Sequence, residues 1–242
     1  MTSFAVLSDV HANLEALDAV LRDIRDRGVE KIFFLGDAVG YGPNPNECIE
    51  VLRERCSVFL AGNHDWAAAG LLDIGYFNEL ARTAMRWTKE NVTEKNRKFL
   101  ATLPVARKMR REGFLLVHST PKEPGSWHYL LTLWDAEINF HYFDQRICLL
   151  GHSHQPFVIE RLPSREMITY RGKAAILKNR RYLINVGSVG QPRDGDPRAC
   201  YAIMSGEEVQ FVRVEYRIEE TQRKMHEAGL PLPLIERLSQ GT

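Results

Sequence analysis

The chain has 242 residues of which 44% are hydrophobic, enough for one sizeable core, and a single domain is expected over 1–242. Lys and Arg total 32 against 31 Asp and Glu, so no global field favours nucleic acid, a membrane surface or a polyanionic partner, and any phosphate recognition must be local. No apolar run approaches the about 20 residues that cross a bilayer, and the N-terminus shows no secretory pattern, so a cytoplasmic protein is expected. Cys48, Cys56, Cys148 and Cys200 form no C-x-x-C pair and read as buried, reduced thiols.

In chain order, Phe4 to Ser8 reads as a buried strand. Leu14, Leu17, Val20, Leu21 and Ile24 then recur at helical spacing, with Asn13 as N-cap and Gly28 closing the helix. Lys31 to Leu35 returns to strand, followed by a Gly/Pro/Asn-rich loop from Gly36 to Pro45. Asn44-Pro45-Asn46-Glu47 resembles a capping box, predicting a helix to about Arg55. Ser57 to Leu60 is a further strand, Trp66 to about Thr102 is mostly helical, and Phe114 to Val117 and Ile147 to Leu150 are strands. Beyond Pro156 strands follow one another without helices: Phe157 to Arg161, Arg181 to Val186, Cys200 to Met204 and Val209 to Val214. Two sheets packed together fit this pattern. A helix from Glu219 to Ala228 precedes a Pro/Leu-rich tail, Gly229 to Thr242, expected to dock on the surface.

Five apolar runs end in residues able to ligate a metal: Asp9-Val10-His11, Gly36-Asp37, Gly62-Asn63-His64-Asp65, Val117-His118 and Gly151-His152-Ser153-His154. Ligands collect beyond the carboxyl ends of strands in open α/β sheets, so segments far apart in sequence can converge there. Glycines at 36, 62 and 151 permit sharp turns and close backbone approach. Carboxylate, amide oxygen and imidazole suit borderline or hard divalent ions, and the absence of thiolates argues against a structural cysteine-zinc site. Two such ions, about 3.5 to 4 Å apart, orient a phosphoryl group, acidify a water and neutralise charge in an in-line displacement. Asp37, alone at its strand end with two oxygens to share, is the candidate bridge.

The ordered set D-x-H, G-D, G-N-H-D, H and G-H-x-H over residues 9–154 resembles the calcineurin-like metallophosphoesterase superfamily. The resemblance implies a four-layer α/β/β/α sandwich of two mixed sheets flanked by helices, with a dinuclear site at the sheet edge. Carried over by position, one ion would take Asp9, His11, Asp37 and His154, and the other Asp37, Asn63, His118 and His152. His64, and Asn63 beside it, would contact substrate, with His64 protonating the leaving group and Asp65 orienting His64 or another imidazole. His118 follows Val117, where many members have glycine. Manganese, iron or zinc all suit the mixed Asn/Asp/His set. Gly36 to Pro45 and Asn185 to Pro197 look like the small bacterial and archaeal branch of phosphodiesterases and diadenosine-tetraphosphatase-like proteins, and Arg193 reads equally as a bidentate donor to substrate phosphate or as a solvent-facing arginine on a turn.

The implied activity is hydrolysis of phosphomonoester or phosphodiester bonds in a phosphorylated small molecule or nucleotide, at a site open for want of an inserted cap. The competing class is a non-catalytic scaffold on the same fold, as in the retromer subunit of this superfamily, which has no need of a complete ligand set. His128, His141 and His226 lack such company and read as packing or surface residues. Trp66, Trp87, Trp127 and Trp134 read as packing residues because no basic stripe accompanies them, so no nucleic-acid surface is evident. No G-x-x-x-x-G-K-[ST] loop is present.

Overall fold

The computed structural model describes residues 3–110 and 112–242. Twelve strands are found among them: β1 Phe4–Leu7, β2 Lys31–Phe34, β3 Val58–Phe59, β4 Ala106–Met109, β5 Phe114–Val117, β6 Ile147–Leu150, β7 Phe157–Arg161, β8 Met167–Tyr170, β9 Ala174–Ala175, β10 Arg181–Asn185, β11 Ala199–Ser205 and β12 Glu208–Val214. The helices are α1 Leu14–Asp26, α2 Pro45–Arg55, α3 Asn63–Ala69, α4 Glu79–Asn91, α5 Glu94–Ala101, α6 Leu133–Asn139, α7 Ile218–Glu227 and α8 Leu232–Glu236. The strands form two six-stranded sheets, in the orders β3-β2-β1-β11-β12-β9 and β4-β5-β6-β10-β7-β8. Both are mixed: β1, β2 and β3 run parallel and so do β5, β6 and β10, while β11 and β7 pair antiparallel to β1 and β10.

The four layers follow from the two-residue period of strands whose faces are both covered. In β1, Phe4 and Val6 point between the sheets, where they meet Leu116, Leu149 and Ile184 of the second sheet. Ala5 and Leu7 point the other way, onto Leu17, Val20 and Ile24 of α1. In β6, Ile147 and Leu149 face the first sheet, whereas Cys148 and Leu150 face Ala136 and Phe140 of α6 and the turn after it. Because both faces are apolar, the central strands read as continuous hydrophobic runs.

Several expectations change in detail. Asn13 caps α1 as expected, its side chain accepting from the amide of Ala16. Asn44 makes no capping bond: its amide donates to Ala12 O and its backbone, at φ −118° and ψ 59°, departs from the extended cap geometry, although Pro45 does open α2. The unexpected β4, β8 and β9 lie at sheet edges, where polar sequences such as Ala106-Arg107-Lys108-Met109 are normal. The short α6 was not expected either; Thr132 and Asp135 form its capping box, and Trp134, expected to pack, is 73% exposed. The tail docks more deeply than a surface segment would, since Leu230, Leu234, Ile235 and Leu238 are buried against Tyr41, Ala81, Ala84 and Met225. All four cysteines are free, and burial pushes their thiols up. No helix among the described residues is long and apolar enough to cross a membrane.

Leu149, fully buried between the sheets, tests this packing. Leu149→Ala is expected to cost about 2–5 kcal/mol in urea unfolding. Leu131→Ala, at a residue 66% exposed, should stay within about 0.5 kcal/mol of the parent.

Candidate metal centre

The five strand ends converge where the carboxyl ends of β1, β2 and β3 in one sheet meet those of β5, β6 and β10 in the other. Backbone bonds tie the loops together: the amides of Asp9, His11 and Ala12 donate to Gly36 O, Asp37 O and Ala38 O, and Gly151 N donates to His118 O. Asp9, His11, Asp37, His152 and His154 all sit in the left-handed region, with φ of 55°, 48°, 59°, 66° and 60°. For residues with a Cβ that conformation costs about 1–3 kcal/mol each and persists only where the surroundings enforce it. Glycine serves a different purpose at 62 and 151, where an added Cβ would collide with Asp37 Oδ1 and with Ser8 Oγ.

The side chains meet in three overlapping triads: Asp9, His11 and His154; His11, Asp37 and His64; and Asp37, His118 and His152. Asp9 Oδ1 lies 3.3 Å from His154 Nε2, 3.7 Å from His11 Nε2 and 4.0 Å from His118 Nε2. Asp37 Oδ2 lies 3.3 Å from His118 Nε2 and 3.7 Å from His11 Nε2, while its Oδ1 accepts from His64 N at 2.9 Å. Asp37 thus belongs to two triads. His64, expected to touch only substrate, also stands where it could ligate.

Four of the five buried imidazoles are each aimed by a backbone carbonyl, which can only accept. Nδ1 of His11, His118 and His154 donates to Val39 O, Leu35 O and Gln191 O at 3.0, 3.1 and 2.6 Å, turning Nε2 toward the carboxylates. His152 is reversed: its Nε2 donates to Trp127 O at 2.9 Å and Nδ1 faces inward. Burial pushes His11 and His154 down and His152 to about 3, leaving these rings neutral, which is the ligating form. His118 is pushed up to about 9, since Asp37 and Asp9 outweigh the effect of its burial, and an ion ligated by its Nε2 would have to displace that proton. Against the cost of their own burial, Asp9 is held below the usual carboxylate range by His154 and His118, and Asp37 by His118 and His64.

Three atoms of the candidate ligands are buried without a hydrogen-bond partner: Asp9 Oδ1, His118 Nε2 and Asn63 Oδ1. Asn63 opens α3 at the wall of the cavity described below. A carboxylate oxygen, an imidazole nitrogen and an amide oxygen are the donor set that divalent ions take, so these residues fit the implied metals.

Asp65 does not orient an imidazole. Its carboxylate accepts from the amides of Asp37 (2.7 Å), Ala38 (2.9 Å), Val39 (3.3 Å) and Gly62 (2.9 Å), shaping the loop that presents Asp37. Burial and Asp37 push its carboxyl up to about 7, and the amide donors oppose that shift.

The candidate Asp and His ligands are themselves buried, beneath a cavity that opens to solvent. Asp9, His11, Asp37, His64, His118, His152 and His154 are all buried, and access runs through a cavity of about 520 Å³ lined by Asn63, His64 and His152 together with Tyr41, Phe77, Trp127 and Tyr129. Segment 119–132 closes one side: Tyr129 stacks on His152 at 4.1 Å between ring centroids, and Trp127, expected only to pack, supplies a wall and the carbonyl that aims His152. Arg193 lies beside the cavity-lining Tyr41, its guanidinium 5.8 Å from that ring. Tyr41, Tyr129 and Arg237 were not singled out from sequence; Tyr41 had a signal in its place within Gly36 to Pro45, and Arg237 had none. His128 and His141 are exposed beside Glu123 and Glu137, far in character from the five buried rings.

A family model described as the calcineurin-like phosphoesterase superfamily domain matches residues 2–208. An uncharacterized protein of Methanocaldococcus jannaschii is 42% identical over 241 residues, covering 98% of this chain and 97% of its own. The crystal structure of a metallophosphoesterase from Sphaerobacter thermophilus superposes with a TM-score of 0.88 at 42% identity, over 100% of this chain and 99% of that one. A hypothetical protein from Pyrococcus horikoshii shares the fold at a TM-score of 0.80 and 22% identity, over 100% and 99% of the two chains. Matched across most of its length by that family model, the chain belongs to the calcineurin-like phosphoesterase superfamily.

Proposed function

We propose that this chain is a phosphoesterase with a dinuclear metal centre, hydrolysing phosphomonoester or phosphodiester bonds of a small-molecule or nucleotide substrate with water as nucleophile. The observation that carries the reading is the trio of buried, unpartnered atoms on three of the candidate ligands, Asp9 Oδ1, His118 Nε2 and Asn63 Oδ1. Leaving such groups unsatisfied costs about 1–3 kcal/mol each. An ion at the centre would satisfy all three atoms at once, whereas a scaffold has no use for them.

Asp9, His11, Asp37 and His154 would hold one ion, and Asp37, Asn63, His118 and His152 the other; manganese, iron and zinc all suit these donors. When bound, such ions supply charge to the phosphoryl oxygens and lower the pKa of a water. The protein's own groups do the rest. Asp65 acts as a positioning residue, holding the Asp37 turn through backbone amides. Arg193 stands beside the centre, where a substrate phosphate can meet it.

His64 serves the leaving oxygen. Its ring packs against Tyr41 and Phe77, with Nδ1 3.1 Å from Met85 Sδ, and burial pushes it down to about 4 while Asp37 opposes the shift. An incoming phosphate brings negative charge that favours protonation again. The proton then passes to the departing oxygen as the P–O bond breaks.

Elemental analysis of gently purified protein is expected to find two transition-metal ions per chain, both lost in Asp37→Ala and mainly one in His11→Ala. Magnesium alone, or no metal after manganese soaking, would overturn the dinuclear reading. His64→Ala is expected to keep its metal and lose about 10² to 10⁴ in kcat on alkyl esters, with a much smaller loss on nitrophenyl esters, whose leaving group needs little protonation. Equal losses on both would assign His64 to charge stabilisation, and loss of metal would make it a ligand. Bis-aryl phosphodiesters should be turned over alongside monoesters; a monoester-only profile would mean that the cavity admits no second ester arm.

A further inference from the structure

Beside the centre lies a pair of cations with no counter-ion. Arg193 and Arg237 both donate through Nη2 to the same oxygen, Gln191 Oε1, the Arg193 bond at 2.9 Å. Their guanidinium carbons lie 5.8 and 4.8 Å from the centroid of the Tyr41 ring. Neither is paired with a carboxylate among the described residues, and Nε of both is buried without a partner, as is Nε2 of the 2%-exposed Gln191. Two like charges on one neutral oxygen repel, and burial together with Arg193 pushes Arg237 down to about 10, so it stays charged at neutral pH. The remaining guanidinium protons are suited to a multiply charged oxyanion.

The pair is coupled to the centre by short links. Gln191 O accepts from His154 Nδ1, Arg193 N donates to His154 O at 3.2 Å, and the Tyr41 ring lies 4.8 Å from that of His11. The two cations therefore stand about one aromatic ring from the candidate ligands, too close for an unrelated site and beyond the ligand set itself. Arg237 comes from the tail, outside the residues 2–208 matched by the family model. The buried apolar residues Leu234, Ile235 and Leu238 anchor the tail, and the amide of Gly195 donates to Gly241 O.

We infer that Arg193 and Arg237 form a second anion subsite, so that the favoured substrates carry another phosphate next to the one attacked, as in phosphoanhydrides and oligophosphate esters. This rests on the phosphoesterase reading above and narrows its substrate class. A singly charged phosphodiester would leave both guanidiniums uncompensated. A diphosphate or longer group fills both places.

Calorimetric titration of the manganese-supplemented protein with inorganic pyrophosphate and with inorganic phosphate tests this without turnover, the metal being kept in excess of either anion. Pyrophosphate is expected to bind more tightly, and Arg237→Gln and Arg193→Gln should each shrink that advantage by about ten-fold, the loss of one charge-assisted contact. Arg223→Gln, an exposed residue of α7 paired with Glu220 and Glu227, serves as the control and should leave the ratio unchanged. Because Arg237 also pins the tail, thermal melting accompanies each titration. A lowered Tm with the pyrophosphate-to-phosphate ratio intact would make the pair structural and overturn the inference, as would equal weakening of both anions. Failure of the protein to hydrolyse any phosphate ester would count against the proposed function, while this binding ratio would still decide the subsite.

Discussion

One carboxylate sets the geometry on which the centre depends. Asp65, on the first turn of α3, accepts from four amides: three in the loop after β2 and one in the loop after β3. This arrangement folds Asp37 into its left-handed turn, and Asp37 in return accepts from His64 N. Two neighbouring loops are thus locked by reciprocal bonds between an acid on each and the backbone of the other. Removing the Asp65 charge would leave four buried donors competing for water that has little room to enter. A local rule of helix capping, an acid reaching back to the Gly62 amide, has been extended to fix a functional loop.

The same economy of backbone contacts runs through the histidines. Four carbonyls, from Leu35, Val39, Trp127 and Gln191, decide which ring nitrogen faces the carboxylates. None of those residues needs a particular side chain for this purpose, so their contribution lies in chain path alone. Left-handed torsions at five candidate ligands and unpartnered polar atoms at three sites raise the free energy of this corner of the fold. The apolar layers between and outside the sheets offset it; the centre contributes nothing to that packing.

How much of this was legible follows from the same division. Strand ends carrying Asp, Asn and His announce themselves because the continuous apolar runs stop there, and so the two sheets, α1 and the seven candidate ligands could be read from order and type. Edge strands such as β4 and β8 could not, since a polar edge looks like a loop. Asp65 was noticed for its chemistry but given an imidazole partner, because backbone donors leave no mark on the sequence. Trp127 and Tyr129 sit in a segment with little regular structure, where periodicity says nothing about what a side chain covers. Arg237 is one of many charged residues, and only the burial of its neighbours in the tail brings it to Gln191.

His11 and His154 approach to 3.1 Å across 143 residues of sequence, and Asn13 donates to Gly190 O across 177. Contacts of such separation incur the full entropy of closing long loops and cannot form until both sheets have docked. The complete centre therefore needs segments from both ends of the chain side by side at once. A chain still emerging from the ribosome, with β1 to β6 made and β10 to β12 missing, would hold Asp9, His11 and Asp37 on one unfinished sheet without the strand β11 that pairs with β1. The corner closes only once the C-terminal third has paired, β11 alongside β1 and β10 between β6 and β7.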